Sequence, residues 1–355
     1  MLEIIQLARP PDLDGADAAL HRGVLAVSRA SIRSILGSDD DFAMHPHDLT
    51  YVLSPMPGLT TFLAAAVCDG EVVGYTDGEA SLADNLTQAE MEVVVHPDFR
   101  RQGIGTALLS WASSWAADLG RTTHIGWTTA PCPAVGQPTV TAPTGDVFPA
   151  DSPGWQFAAH HGFTLEQIEH VSHLELPVPG VHQLLEDART SAAGYRLHTW
   201  GGIMPEPWLS DFAALRAQVT LDEPSAGIET EGESWDAERV SQAWEVQKSI
   251  GFHRLVVAAE HIESGHLVGF TQLSWHHDNP KCAYQGYTFV REDHRGHHLG
   301  MLVKTTALGE LADTNPTADH VRTDNAGENS WMLAINHALG FKLSSLTAFM
   351  QRKVG

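Results

Sequence analysis

The sequence predicts an α/β (α+β) chain made of two domains of the same kind, and three observations carry that expectation. At 355 residues the chain is long for one hydrophobic core and comfortable for two. Val93-Val94-Val95-His96-Pro97-Asp98-Phe99-Arg100-Arg101-Gln102-Gly103-Ile104-Gly105-Thr106 reads as a β-branched strand, a turn, a basic glycine loop and a helix start. Val290-Arg291-Glu292-Asp293-His294-Arg295-Gly296-His297-His298-Leu299-Gly300-Met301 repeats that layout, with Arg295 answering to Arg100 and Gly300 to Gly105. Two copies in matching surroundings mark a duplicated domain.

In the first half, Leu2–Leu7 reads as the opening strand, and Ala16–Ile35 has helical spacing of apolar residues. Thr61–Val67 and Val72–Tyr75 are strands joined at the Asp69-Gly70 turn. Glu90–Val95 is the next strand, followed by the loop and a helix from about Gly103 to Leu119, stopped by Gly120. Thr123–Trp127 is a strand, Trp155–His161 a short helix ended by Gly162-Phe163, and Ile168–Leu176 the last strand.

The second half keeps the order. Tyr195–Trp200 opens it, and Ser234 can cap a helix starting at Trp235-Asp236. Leu255–Ala259 and Leu267–Phe270 flank the Ser264-Gly265 turn. Ala283–Val290 leads into the second loop and a helix over Leu299–Leu311. His320–Asp324 is a strand, Asn329–Leu339 a helix ended by Gly340-Phe341, and Phe349–Arg352 closes the chain. Pro177-Val178-Pro179-Gly180 punctuates the middle, so the expected domains are 1–178 and 195–355 with a linker helix and turn over 179–194. Thr128–Pro153 is rich in Pro, Gly and Thr without periodicity, and is either a functional lid or disordered.

Composition narrows the function classes. Forty-four acidic against 21 basic residues give a formal charge of −23, which disfavours nucleic acid as a partner and favours approach of a small cation. No apolar run reaches the roughly 18 to 20 residues of a membrane span, and Met1–Gln6 does not open a signal peptide. Cys68, Cys132 and Cys282 are few, odd in number and far apart, which argues against a disulfide framework and for a reducing cytoplasmic setting. Twenty-one histidines include the pairs His160-His161, His276-His277 and His297-His298, but no His-Glu-x-x-His occurs and no metal is expected. His297 and His298 suit contact with a phosphate. Trp235, Trp275 and Trp331 suit either core packing or an acceptor pocket.

The loops carry the chemistry. At Arg100–Thr106 a strand ends, glycines let the backbone approach a ligand, and the next N–H groups belong to the free first turn of a helix. With the helix dipole this is an anion site suited to a pyrophosphate, and Arg100 and Arg101 add charge. The spacing is neither a P-loop nor a dinucleotide fingerprint. Just before the loop, Glu92 and Glu90 share one face of the strand.

Arg-x-x-Gly-x-Gly after Val-x-x-Pro, in this strand–helix order, resembles motif A of the GCN5-related N-acetyltransferases (GNATs). The resemblance covers both halves, and the tandem layout is similar to that of mycothiol synthase and of actinobacterial antibiotic-modifying acetyltransferases. The second copy departs at His298, which stands where the first glycine normally falls. The resemblance implies two mixed, mostly antiparallel sheets flanked by helices, with acetyl-CoA as donor to a small cationic amine. Its pyrophosphate would lie on the backbone of Arg100, Arg101, Gln102, Gly103, Ile104, Gly105 and Thr106, and in the second half on Arg295, Gly296, His297, His298, Leu299, Gly300 and Met301. Its pantetheine would follow Val93, Val94 and Val95, or Thr288, Phe289 and Val290. Asn325 and Asn329 resemble the region where an Asn faces the cofactor. Glu92, with Glu90, is the candidate base. The Tyr that many members use to protonate the departing thiolate is replaced by Ala158 and Asn336, and Tyr287 stands in the place of Glu92 in the second half. The missing Tyr leaves a non-catalytic acyl-CoA sensor as another reading, a protein acetyltransferase is a third, and the first half is favoured as the catalyst.

Overall fold

The computed structural model describes residues 1–10, 12–38, 42–222 and 224–354. The chain forms two compact units, Met1–Ile168 with Ala226–Glu229 and Ser345–Gly355, and Glu169–Ser225 with Thr230–Ser344.

The first unit is built from strands β1 (Leu2–Gln6), β2 (Leu59–Cys68), β3 (Glu71–Ser81), β4 (Gln88–Val95) and β5 (Thr123–Pro131), with helices α1 (Ala19–Leu36), α2 (Pro46–Val52) and α3 (Ile104–Asp118). A hairpin, β6 (Thr139–Thr141) with β7 (Val147–Pro149), and helix α4 (Pro153–His160) follow β5. β1 to β4 run antiparallel in order, whereas β4 and β5 are parallel because the α3 crossover lies between them. β2 and β3 bury nearly continuous Ala and Val runs because helices cover both faces. Leu63, Ala65, Val67 and Tyr75 pack with α1, and Ala66 and Val73 pack with α3. The stretch expected to be either lid or disordered is an ordered insert. Its hairpin places Phe148, fully buried, and Ala142 in the core with Phe62, Met91 and Leu109, and burying a side chain of that size is worth about 2 to 3 kcal/mol.

The second unit takes up β8 (Thr164–Glu175) from Glu169 and continues with α5 (Val181–Ser191), β9 (Tyr195–Gly201), α6 (Glu206–Asp222), α7 (Ala237–Ser249), β10 (Phe252–His261), β11 (His266–His276), β12 (Asn279–Val290), α8 (Leu299–Thr314), β13 (His320–Ala326) and α9 (Ser330–Leu339), after which β14 (Lys342–Lys353) belongs to the first unit from Ser345. Its sheet runs β9, β10, β11, β12, β13, β8, parallel only between β12 and β13. Glu169–Glu175 of β8 pairs with β13. The closing strand is far longer than Phe349–Arg352, and its Ser345–Lys353 is part of the first unit, where it pairs with β5. The α5 segment packs Ala188 and Ala192 into the second core. Ser234 does not cap the following helix. Asp236 does, its carboxylate accepting from the Arg239 N–H at 2.7 Å, because a charged acceptor one residue before the first turn is the better cap.

Candidate functional site

Each unit presents the same loop. After β4, Pro97–Phe99 makes one 3-10 turn, with His96 Nδ1 accepting the Asp98 N–H at 3.3 Å. Arg101 (φ 62°) and Gly103 (φ 83°) then take left-handed conformations. The first helical N–H with a backbone acceptor is that of Ala107, to Gly103 O at 3.0 Å. Among the described residues, the N–H groups of Gln102 through Thr106 have no backbone acceptor. In the second unit Gly296 (φ 84°) and His298 (φ 57°) repeat the two left-handed steps, and Leu302 is the first N–H to close, on His298 O at 3.0 Å. The backbone path is therefore shared, with the glycine at the second left-handed step in the first copy and at the first step in the second copy. His298 departs from the sequence pattern while keeping its geometry. Alternating turns of this hand aim successive N–H groups into one concavity, which with the helix dipole suits a phosphate. A side chain at Gly103 would meet nothing within 4 Å, so the concavity is open.

The shared layout also explains the arginines. Arg100 Nε donates to the Val95 carbonyl at 3.2 Å, and its Nη2 donates to Ser31 Oγ at 3.0 Å and Ser34 Oγ at 3.3 Å on α1. Arg295 does the same, Nε to the Val290 carbonyl at 3.1 Å and Nη2 to Asp222 at 2.8 Å on α6. These side chains staple the loop to the end of its strand and to a neighbouring helix. Gly105 and Gly300 serve helix packing more than ligand approach, since a Cβ there would lie 3.0 Å from Phe157 of α4 and from Ile335 of α9.

Beside each loop the central strands part. β4 and β5 pair only at Gln88–Thr123, Ala89–His124 and Glu90–Ile125. β12 and β13 pair from Cys282–His320 to Gln285–Thr323. Past those points Val93, Val94 and Val95, and Thr288, Phe289 and Val290, remain paired only on their other edge. Unpaired strand groups leading to an N–H-lined turn fit the amide-bearing arm and the pyrophosphate of a coenzyme A thioester.

A sequence model of the acetyltransferase (GNAT) family matches residues 31–134, which span part of α1, the first loop and β5. A solved tandem GNAT protein from the clavulanic acid biosynthesis pathway is 25% identical, covers 100% of this chain and 99% of its own, and superposes with a TM-score of 0.76. Residues 31–134 carry a GNAT acetyltransferase domain, and the chain as a whole has the layout of a tandem GNAT protein. It is an acyltransferase, and acetyl-CoA is its acyl donor. Two further structures show the same fold: a GCN5-related N-acetyltransferase from Sphaerobacter thermophilus (17% identity, 99% of this chain and 95% of that one, TM-score 0.61), and a glucosamine N-acetyltransferase region of a fungal multi-domain GH3 β-N-acetylglucosaminidase (14% identity, 99% and 38%, TM-score 0.62). No curated protein matches the sequence. No helix among the described residues is long and apolar enough to cross a membrane.

In the first GNAT unit, β3 and β4 lay carboxylates opposite one another. Asp77 pairs with Glu92 and Glu79 with Glu90 in the antiparallel register, so all four side chains share one face. Burial pushes the Glu92 carboxyl up to about 7, and a hydrogen bond from the Tyr75 hydroxyl works against that rise. Asp77 is held well above the usual carboxylate range, first by burial and then by the negative charge of Glu92. Its Oδ1 is buried without a hydrogen-bond partner. Tyr75 is itself buried, with a further hydrogen bond to Ser28 of α1. Asp48 of α2 adds its field to Asp77 and Tyr75. Sequence reasoning found Glu92 and Glu90 and missed Asp77, Tyr75 and Asp48. The alternation Tyr75-x-Asp77-x-Glu79 against Glu90-x-Glu92 was the available signal, as was Pro46 followed by Asp48 at a helix start.

Among the described residues the second GNAT unit has no such face. Tyr287, at the place of Glu92, lies under the Arg216 guanidinium at 4.1 Å, and Arg216 also covers Trp235 at 4.7 Å. The β11–β12 register slips between Thr271 and Leu273, where Gln285 Nε2 donates to Thr271 Oγ1 at 2.9 Å. Asn329 caps α9, its Oδ1 accepting the Met332 N–H at 3.2 Å. Trp275 is core, stacked on His253, while Trp331 is 86% exposed. Ala158 and Asn336 are both buried, and neither is an acid.

His276, His277 and Asp278 gather at the β11–β12 turn. Both ring nitrogens of His276 are engaged there, one with Ile250 O at 2.8 Å and the other with the Asp278 N–H at 3.0 Å, which gives it a turn-bracing role.

Proposed function

We propose that the first GNAT unit transfers acetyl from acetyl-CoA to the primary amine of a small cationic molecule, an antibiotic or a metabolite, and that both loops accept acyl-CoA. In this reading the catalytic and binding residues are those named above, and the covalent domains are 1–178 and 195–355 with the linker 179–194. Three separated free cysteines fit a reducing, cytoplasmic setting.

The observation that carries the reading is the Asp77–Glu92 rung at the edge of the splay. An acceptor amine arrives protonated, drawn by the net charge of −23. It must lose a proton before it can attack. The Glu92 carboxylate, with a pKa near 7, is matched to take that proton at neutral pH. Asp77 stays the protonated member of the pair, and Glu90 and Glu79 lie one step along the same face to hold positive charge. Acetyl-CoA supplies an activated thioester when bound. The free N–H groups of β4 past Glu90 can donate to its carbonyl oxygen as negative charge develops there. Ala158 offers no proton for the thiolate, so solvent supplies it.

The missing acid at Ala158 is also what an acyl-CoA sensor without turnover would show. Turnover with a panel of small amines separates the two. Saturable CoA release, with acetyl-CoA binding seen by calorimetry, supports the enzyme. Binding without release supports the sensor, and no binding removes both. The Gly103→Glu variant places a carboxylate in the open concavity and should abolish binding at the first site and turnover with it. Full activity in that variant would move catalysis to the second unit.

A further inference from the structure

The second unit buries an amine with no acid beside it. Lys304, in the second turn of α8, is 1% exposed. Its Nζ donates to Asn336 Oδ1 at 2.8 Å, approaches Met332 Sδ at 4.0 Å, and lies 5.5 Å from the centre of the Phe341 ring. Among the described residues no carboxylate forms an ion pair with it. Leu109 fills the matching place in the first unit as an ordinary core residue. Burial draws the Lys304 ammonium down to a pKa of about 7. A fold that packs leucine here gains no stability from a desolvated amine, so the lysine needs a role outside packing.

The network around Lys304 has one polarity. Lys304 Nζ donates here, so Asn336 turns Oδ1 toward it. Asn336 Nδ2 then points away and donates to Asn325 Oδ1 at 2.6 Å. With its oxygen engaged, Asn325 is left with its NH2 group, which has no acceptor among the described residues. Asn325 stands two residues past Thr323, where β13 leaves β12. The Lys304 donation therefore sets the orientation of two amides in series, and the outer one keeps its NH2 group to donate, next to the place where β13 leaves β12.

We infer that Lys304 is a positioning residue of the second acyl-CoA site, fixing Asn325 so that its amide NH2 donates to a carbonyl of the pantetheine arm between β12 and β13. The inference rests on the reading that the second loop accepts acyl-CoA.

The test uses the full chain with the first site blocked by Gly103→Glu, titrated with acetyl-CoA in a calorimeter and melted in parallel. The blocked parent should bind one equivalent. Lys304→Met, added to it, should weaken binding by about tenfold, the worth of one aligned hydrogen bond, while its Tm stays level or rises. Asn325→Asp, which cannot donate, should weaken binding at least as much. Opposite movement of stability and affinity is the signature, because a merely structural lysine would lower both together. If Lys304→Met and Asn325→Asp bind like the parent, the inference is overturned. It is equally overturned if Lys304→Met loses Tm and affinity together while Asn325→Asp binds normally. A blocked parent that binds no acetyl-CoA would instead refute the occupied second site, and the role of Lys304 with it.

Discussion

Asp77 and Glu92 face each other directly across β3 and β4, two carboxyls on one rung of an antiparallel ladder. Like charges at this spacing cannot both ionise cheaply, so the pair keeps a proton that isolated carboxyls would release. Both are raised, Glu92 to about 7. A general base works only when ionised, so kcat/KM should rise with pH and level off above about 7. The Tyr75 hydrogen bond favours the ionised form. Tyr75→Phe should therefore move the inflection to higher pH, and a pH–rate profile of the two proteins reads it directly. An unchanged inflection would remove Glu92 from the titration.

Arg100 acts on the first loop as a staple. Removing three donated bonds from a half-buried guanidinium should cost about 1 to 3 kcal/mol of stability. Arg100→Met is thus expected to lower Tm and weaken acetyl-CoA binding at the first site, whereas Arg101→Met at the exposed neighbouring position weakens binding with little change in Tm. Paired melts and titrations distinguish the two. Equal behaviour would mean that both arginines act through charge alone.

His298 holds a left-handed conformation at φ 57° without being glycine, and Gly103 takes the matching place in the first loop. His298→Gly should relieve strain of about 1 kcal/mol and raise Tm by a few degrees. Gly103→His should in turn introduce comparable strain at φ 83° and lower Tm by a similar amount. Circular dichroism melts suffice to measure both.

Lys304 makes a pH-dependent contribution whose sign follows from its lowered pKa. The unfolded lysine holds its proton up to about 10.5, the folded one only to about 7, so between those values the unfolded state binds more protons. Stability of the native protein should gain with pH across that window. The Tm advantage of Lys304→Met is expected to be largest near pH 7 and to shrink toward pH 10. A gap that stays constant with pH would mean that Lys304 titrates normally.

Much of this arrangement was legible in the sequence. Both loops, the Arg100–Arg295 and Gly105–Gly300 correspondences and the hairpin order are local patterns, and local patterns survive folding. The roles of individual groups were less so. Charge at Arg100 pointed to a phosphate, but Ser31 and Ser34, which hold it, lie more than 60 residues away. The length of β14 depends on β5, with Thr347 meeting Thr129 across 218 residues, and no periodicity reports a partner at that distance. The Thr128–Pro153 insert reads as unstructured because its strands are three residues each, and its order comes from Phe148 entering the core. Helices α2 and α6 are hard to see in the sequence because little beside each start marks them, Pro46 with Asp48 for α2 and Pro205 for α6.

Catalysis by the first unit is tested most directly by CoA release from Glu92→Gln against the native protein, at pH 8 with saturating acetyl-CoA and a panel of small cationic amines. If Glu92 is the base, acetyl-CoA binding should be unchanged by calorimetry and the rate lower by at least about 100-fold, the usual contribution of a general base. A Glu92→Gln protein that turns over at the native rate would contradict catalysis by the first unit.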